Sequence, residues 1–225
     1  PTDDPTLVDV SSSYGLYCSQ AGEQVTQIQL AYNNLAGTIP SELGLISNLA
    51  KVVLFNNTLE GSIPSELGQW TSMRALYIYY NKLVGTLPKE LGRMTDIFDL
   101  QVHSNELEGT LPTDLGQLEK LIFLDLYENA FTGPIPSEVG QLRCLERFLV
   151  FGNNMTGTIP TEVGLMVPLQ FFHCQQNSFT GTLPNEFGGL VGLQSLVIFE
   201  NRLSGTVPSI LANNSNLNLV FDPQY

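Results

Sequence analysis

Apolar and polar residues alternate over short stretches that recur at a constant interval along the chain. Val52 and Leu54 flank one such stretch, and Leu76 and Ile78 repeat the pair 24 residues later. Alternation over a few residues predicts a short strand with one buried face. The sequence therefore predicts one strand in each 24-residue interval, all running parallel.

The interval is kept over eight copies without an insertion or a deletion. The prolines that mark the copies are Pro40, Pro64, Pro88, Pro112, Pro136, Pro160, Pro184 and Pro208. An asparagine, here called the ladder asparagine, stands seven residues before each proline: Asn33, Asn57, Asn81, Asn105, Asn129, Asn153, Asn177 and Asn201. Such a period is typical of solenoids, in which each repeat buries its apolar residues against its neighbours.

Each column of the repeat has a physical interpretation. The ladder asparagine is expected to end the strand and to bond backbone groups that leave the sheet there. The threonine and isoleucine before the proline favour a second, short strand. The proline is expected at the first position of a short helical turn, with the acidic residue two places later near its positive N-terminus. Trp70, Met94 and Met166 share an apolar column, which predicts that they lie in the core.

Aligned, the copies read L-x-x-L-x-L-x-x-N-x-L-x-G-T-I-P-x-E-L-G-x-L, where L is any apolar residue. This pattern resembles the plant-type leucine-rich repeat, with its G-x-I-P segment. The resemblance implies an α/β solenoid: a curved horseshoe with a parallel inner sheet, a short second sheet and 3-10 or other short helical turns outside. It divides the chain into a partial N-terminal cap at 1–24, eight repeats at 25–216 and a truncated final strand at 217–225. In that family the cap cysteine usually has a partner, and no second cysteine precedes Cys18.

Charge and cysteine content exclude several classes of function. The net charge of −13 argues against nucleic acids and anionic membranes, which bind basic surfaces. Since no run of 18 apolar residues occurs, we expect no membrane span. Three cysteines without metal-like spacing predict neither a disulfide framework nor a zinc site, and Cys174 is expected to be a small core residue. The repeated helix-start acids are expected to be solvated, the alternative being a Ca²⁺-bridged edge. No cofactor is predicted.

Three N-x-S/T sequences, at Asn56, Asn154 and Asn213, are candidate N-glycosylation sites. The chain begins at Pro1 rather than at a methionine, which we interpret as removal of an upstream segment. Together with the cap, these features predict an extracellular protein, either secreted or the ectodomain of a membrane-anchored protein.

In leucine-rich repeats, the strand positions between core residues point to the concave surface. Here those positions lie two, four and six residues before each ladder asparagine, and they are rich in aromatic residues. The candidate ligand-binding residues are Phe55, Tyr77, Tyr79, Asp99, His103, Phe123, Asp125, Tyr127, Arg147, Phe151, Phe171, His173 and Phe199. Large exposed apolar patches usually mark interfaces, and aromatic residues with arginine are typical of binding hot spots. The alternative is an aromatic ladder that only stabilises neighbouring strands.

The resemblance and the aromatic columns predict an extracellular, non-enzymatic recognition or adhesion module that binds a protein, a peptide or a glycan. The family includes receptor-kinase ectodomains, inhibitors of cell-wall-degrading enzymes such as polygalacturonase, adhesion proteins and a few ice-binding members. One alternative is therefore a structural protein that self-associates into a matrix or filament. Another is ice binding through the row Thr38, Ser62, Thr86, Thr110, Pro134, Thr158, Thr182 and Thr206.

Catalysis is not predicted. His103 and His173 lie three repeats apart, which is too far for them to share one metal ion. Asp125 is expected near His103, but no serine or cysteine nucleophile is placed to complete a triad. No paired carboxylates suited to glycoside hydrolysis stand out either.

Overall fold

The computed structural model describes residues 15–19 and 24–222. Most of the predicted cap, and residues 223–225 of the predicted final segment, lie outside the described residues. Two sheets run the length of the repeats, with one strand of each sheet in most repeats and a short helical turn after the second strand. The apolar core lies between the sheets and these turns.

The first sheet has ten strands in the order β1-β2-β4-β6-β8-β10-β12-β14-β16-β18. They are β1 Gly15–Cys18, β2 Val25–Gln29, β4 Lys51–Val53, β6 Ala75–Tyr77, β8 Asp99–Gln101, β10 Phe123–Asp125, β12 Arg147–Leu149, β14 Phe171–His173, β16 Ser195–Val197 and β18 Asn218–Val220. Neighbouring repeat strands pair in parallel with a register of 24 residues, as Phe123 with Arg147. β1, in the cap, instead pairs antiparallel with β2.

The second sheet has eight parallel strands in the order β17-β15-β13-β11-β9-β7-β5-β3. They are β3 Ala36–Thr38, β5 Thr58–Ser62, β7 Lys82–Thr86, β9 Glu106–Thr110, β11 Ala130–Gly133, β13 Asn154–Thr158, β15 Ser178–Gly181 and β17 Arg202–Leu203. Most of these strands start directly after the ladder asparagine, well before the threonine and isoleucine that suggested a strand. Several are therefore longer than the three-residue strands of the first sheet.

Seven 3-10 helices and one short α-helix follow the strands of the second sheet in the described part of the chain. The 3-10 helices are Ser41–Leu45, Ser65–Gln69, Lys89–Arg93, Thr113–Gln117, Ser137–Gln141, Thr161–Leu165 and Asn185–Gly189, and α1 is Ser209–Ala212. The prediction that the proline is the first helical residue is wrong by one position. Pro64, with ψ 136°, is still extended, and its carbonyl accepts the first bond of the turn from the Leu67 N–H.

Successive helical turns approach one another closely at the glycine that recurs in each turn. A Cβ added to Gly68 would lie 2.3 Å from the backbone oxygen of Glu90, so a side chain there would clash with the next repeat. Packing of successive turns therefore requires a glycine two residues after the acidic residue of the turn.

The core is continuous from Ile28 to Leu217. Trp70, Met94 and Met166 are fully buried, which confirms the prediction from their shared column. Trp70 also donates its indole N–H to the Leu43 carbonyl of the preceding repeat, at 2.9 Å. Cys174 is fully buried as well, as expected for a small core residue.

The ladder asparagines bond the backbone of adjacent repeats, as predicted. Asn153 donates its amide to the carbonyls of Leu126, Val150 and Phe151 at 3.0–3.2 Å. Its side-chain oxygen accepts the N–H of Phe131 at 3.0 Å. Equivalent bonds recur at the asparagines of the second to eighth repeats. Each asparagine therefore joins the end of one inner strand to the start of the second-sheet strand one repeat earlier.

The interval from β16 to the final strand β18 is 23 residues, one shorter than the interval between the other repeat strands, because Leu196 of β16 pairs with Leu219. Leu219 therefore takes the core position in β18. No helix among the described residues is long and apolar enough to cross a membrane.

Candidate functional site

The candidate residues lie on the outward side of the ten-stranded sheet, which we call the concave face. Within each strand the middle residue, such as Leu100 or Leu124, enters the core, and its two neighbours point outward. The residue two before each ladder asparagine follows the strand and lies in the same outward layer. The parallel register stacks equivalent residues of successive repeats about 4.8 Å apart.

Five aromatic rings of the column two before the ladder asparagine form a continuous stack: Phe55, Tyr79, His103, Tyr127 and Phe151. Their successive centroids lie 4.4, 4.3, 4.0 and 4.4 Å apart, with interplanar angles of 7–16°. The strand spacing of a parallel sheet almost matches the thickness of stacked rings, which explains this regular arrangement. The stack ends at Phe151 because the next repeat carries Gln175 in this column.

Sequence analysis missed a second aromatic row, formed by Tyr32 and Tyr80. Each precedes a ladder asparagine and has a left-handed backbone, with φ of 50° and 51°. Their rings are 64% and 48% exposed and meet Phe55 and His103 edge-on, with centroids 5.2 and 5.3 Å apart. An aromatic residue directly before the asparagine was the available signal, while the left-handed backbone recurs in this column with other residue types, such as Ser104 and Glu128.

The concave face was expected to expose its aromatic and polar band, but side chains of adjacent strands bury part of it. The five buried members, 3–6% exposed, are Phe55, Tyr77, Asp99, His103 and Asp125. The other eight candidates remain partly accessible: Tyr79, Phe123, Tyr127, Arg147, Phe151, Phe171, His173 and Phe199. The accessible members concentrate in the fifth to eighth repeats.

A buried polar network crosses the middle of the concave face. Tyr77 donates its hydroxyl to Asp99 at 2.7 Å, and the Gln101 amide donates to the same carboxylate at 3.0 Å. Arg147 donates two bonds to Asp125, at 3.0 and 2.9 Å. These contacts already satisfy both carboxylates, so neither is free to bind a ligand group.

Burial is the main cause of the shifted pKa values in this network. It raises the pKa of Asp125 to about 6, although the Arg147 guanidinium opposes the change. Burial also raises the pKa of Asp99, against the hydrogen bonds it accepts from Tyr77 and Gln101. Arg147 additionally lies 4.5 Å from the centroid of the Phe123 ring, a cation–π contact.

His103 is stacked and hydrogen-bonded on both ring nitrogens. Nδ1 lies 3.1 Å from the Ser104 hydroxyl and Nε2 lies 3.2 Å from the Tyr127 hydroxyl. Burial lowers the pKa of His103 to about 4, with a smaller contribution from Arg147. Burial lowers the pKa of His173 too.

We therefore predict that His103 stays neutral at pH 6 and titrates near pH 4, and that the pKa of His173 lies below the ordinary value for histidine. Proton NMR of the imidazole Hε1 signals between about pH 7 and pH 3.5 measures both midpoints. Tyr127→Phe is the matched control: it removes a hydrogen bond but keeps the stacked ring, so the low pKa of His103 should persist. A midpoint near the unperturbed value for either ring would contradict the described burial.

His173 and Ser195 form a pair that sequence analysis did not identify. His173 Nε2 lies 2.9 Å from the Ser195 hydroxyl, a distance that a nucleophile and its base would need. Ser195 is buried, however, and its hydroxyl also accepts a bond from the Asn218 amide. Within the described residues no carboxylate bonds the other nitrogen of His173. The pair is thus best explained as a structural contact.

Gln175 lies between Phe151 and Phe199 in its column, by the register of β12, β14 and β16. Its side-chain oxygen is buried and has no hydrogen-bond partner. Buried acceptors are almost always bonded, because an unpaired one loses its bond to water without a replacement. This amide is therefore a point where the concave face is incompletely satisfied.

The other predicted sites lie away from this face or at its edge. The threonine row is exposed on the second sheet, with Pro134 within it. Asn154 and Asn213 are exposed, whereas Asn56 is half-buried beside Phe55. In the part of the chain that the structure describes, no three His, Cys, Asp or Glu side chains form a group that could hold a metal ion.

Comparison with known proteins agrees with this architecture. The profile of the Leucine Rich Repeat family matches residues 120–142 and 168–190. Plant receptor-kinase ectodomains share the fold over most of the chain. The chain is a plant-type leucine-rich repeat protein. No curated protein matches the sequence significantly.

Three solved structures illustrate the similarity. The ectodomain of the membrane receptor kinase GASSHO1/SCHENGEN3 from Arabidopsis thaliana, in complex with CASPARIAN STRIP INTEGRITY FACTOR 2, is 32% identical with a TM-score of 0.84 over 87% of this chain. The plant peptide hormone receptor RGFR1 in complex with RGF2 is 32% identical with a TM-score of 0.86 over 89%. The Arabidopsis receptor kinase HAESA, with the peptide hormone IDA and the co-receptor SERK1, is 35% identical with a TM-score of 0.79 over 84%.

The chain spans 23–32% of the length of these three receptor chains. The comparison therefore covers a run of leucine-rich repeats, and not the whole of any of the receptors.

Proposed function

We propose that the chain is a non-enzymatic recognition module that binds a peptide or an extended protein segment on its concave face. The observation that carries this proposal is the group of partly accessible aromatic residues in the fifth to eighth repeats. Phe123, Phe151, Phe171 and Phe199 lie on one rigid sheet, with Arg147 among them. Rigid aromatic residues around an arginine are the usual composition of a binding hot spot.

The similar receptors support a peptide ligand rather than a glycan. HAESA was solved with the peptide hormone IDA, and RGFR1, a plant peptide hormone receptor, was solved with RGF2. Both share the repeat architecture of this chain. The same similarity supports an extracellular location. In that setting Asn154 and Asn213 are accessible for glycosylation, and a glycan on Asn56 would stand at the edge of the concave face. The ligand is then expected to bind the later repeats, away from Asn56.

Substitution of the accessible aromatic residues should abolish binding without unfolding the protein. A peptide selected from a display library against this chain, and measured by isothermal titration calorimetry, should bind Phe151→Ala and Phe199→Ala at least about tenfold more weakly, because each change removes a hot-spot ring. Thermal melting of each variant checks that the solenoid is intact.

Thr132→Ala is the matched control, since this exposed residue belongs to β11 of the second sheet. It should leave the affinity unchanged. Selected peptides that bind all three variants as tightly as the parent chain would contradict a concave-face site.

A further inference from the structure

We infer that the concave face of the fifth to eighth repeats is specific for a basic peptide segment, with an arginine side chain held at Gln175. This inference rests on the proposed function, and it adds the chemistry of the ligand. Three independent features of the described residues support it: the position of two aromatic rings, an unpaired acceptor between them and the charge of the surrounding edge.

The first feature is the pair of phenylalanines, Phe151 and Phe199, on either side of Gln175. One face of Phe151 stacks on Tyr127, with centroids 4.4 Å apart, and its other face looks toward Gln175. Phe199 lies one repeat beyond Gln175. Two strand spacings separate the backbone positions of the two phenylalanines by about 9.6 Å, so a cation level with Gln175 would lie one spacing, about 4.8 Å, along the column from each of them. A cation within about 6 Å of a ring centroid is attracted to the ring.

The acceptor lies at the centre of this arrangement. Gln175 as a residue is partly exposed, while its side-chain oxygen is buried and unpaired. The terminal torsion of a glutamine is broad, so the amide can rotate toward the surface at little cost. A ligand with N–H donors then supplies the partner that the free protein lacks. The guanidinium group fits best, since it has five donors, accepts nothing and stacks on aromatic rings.

The acidic residues near the site also favour a ligand that contains arginine. Residues 121–222 contain eight acidic residues against three arginines, and three of the acids, Glu138, Glu162 and Glu186, lie in the helical turns away from the concave face. Glu128 directly follows Tyr127, Glu200 directly follows Phe199, and both glutamates are exposed. Carboxylates therefore lie at both ends of the row of accessible aromatic residues from the fifth to the eighth repeat. Arg147 is the only lysine or arginine among the candidate residues, and its charge is already paired with Asp125. An acidic peptide would meet repulsion here, whereas a basic one meets complementary charge.

The probe that tests this inference is N-acetyl-L-arginine methylamide, titrated into the ¹⁵N-labelled chain and followed by NMR. The expected result is a saturable millimolar shift of the Gln175 side-chain amide and of the Phe151 and Phe199 backbone amides. The neutral isostere N-acetyl-L-citrulline methylamide should bind at least about fivefold more weakly, because it lacks the charge.

Gln175→Leu should weaken the arginine probe about fivefold, because it removes the acceptor. Its matched control is Gln29→Leu, the same change on the concave face of the first repeat, where the glutamine amide already donates to Gln27. The control should leave the probe affinity unchanged. Equal binding of the arginine and citrulline probes, or an unchanged affinity in Gln175→Leu, would overturn the inference.

Peptides selected from an unbiased library separate failure of this inference from failure of the proposed function. If their binding depends on Phe151 and Phe199 but their sequences are neutral or acidic, the charge specificity is wrong and the concave-face site stands. If their binding depends on neither phenylalanine, the proposed site itself is wrong. Enrichment of arginine together with dependence on both rings would support both.

Discussion

Replacing the buried ladder asparagine Asn153 with alanine should destabilise the protein by about 3–5 kcal/mol. The Phe131 N–H would lose the partner that it has in the structure, at a fully buried position. Three carbonyls would each lose one bond, although each keeps another, from the Asn129 amide, the Asn177 amide or the Glu128 N–H. The loss is large because one side chain joins the two sheets at this point.

Urea unfolding of the chain produced in bacteria, without glycans, measures the effect as a shift of the transition midpoint. The neighbouring residue Asn154 offers the control, because its side chain is exposed. The hydrogen bonds to the backbone of the adjacent repeat come from Asn153. Asn154→Ala should change the free energy of unfolding by less than about 0.5 kcal/mol. Equal effects of the two substitutions would mean that the ladder bonds contribute little.

Arg147→Ala should be the second large effect, about 2–3 kcal/mol near pH 7, because it removes the cation of the buried Asp125 carboxylate and the contact with the Phe123 ring. The penalty should shrink as the pH falls. The folded-state pKa of Asp125, about 6, lies above its unfolded value, so protonation favours the folded state. Without Arg147 this pKa rises further, and below about pH 6 the carboxyl becomes neutral and needs no cation.

Urea midpoints of the parent chain and Arg147→Ala at pH 7 and pH 5 test this prediction. Lys120→Ala serves as the control, because Lys120 and Asp96 form an ion pair at the exposed surface and its loss should not move the midpoint measurably. A difference between parent and Arg147→Ala that is equal at both pH values would contradict the assignment of the penalty to a buried charge.

The 24-residue pattern was sufficient to predict the inner strands and the core. Leu76, Leu124 and Trp70 could be placed because apolar alternation and a fixed period leave one way to bury them. The role of the ladder asparagine followed from the same logic, since a strand end needs partners for its backbone groups. The start of each helical turn was missed by one residue, because a proline fixes φ but leaves ψ free to stay extended.

The candidate site could be predicted by column but not by accessibility. The columns placed His103 and Asp125 on the concave face, yet both are buried by neighbours from adjacent repeats. Whether a side chain on this face is covered depends on the conformations of the two flanking repeats, which a single-repeat pattern does not contain. The unpaired oxygen of Gln175 depends on the same three-dimensional arrangement, and it could not be predicted from the sequence.

Amide hydrogen exchange of the chain with and without a selected peptide shows which surface the ligand covers. We expect protection on binding to concentrate in β10, β12, β14 and β16 and in the residues that follow them, up to Phe199. The second sheet should exchange as it does in the free protein. Protection confined to the second sheet or the helical turns would contradict the claim that the concave face is the binding surface.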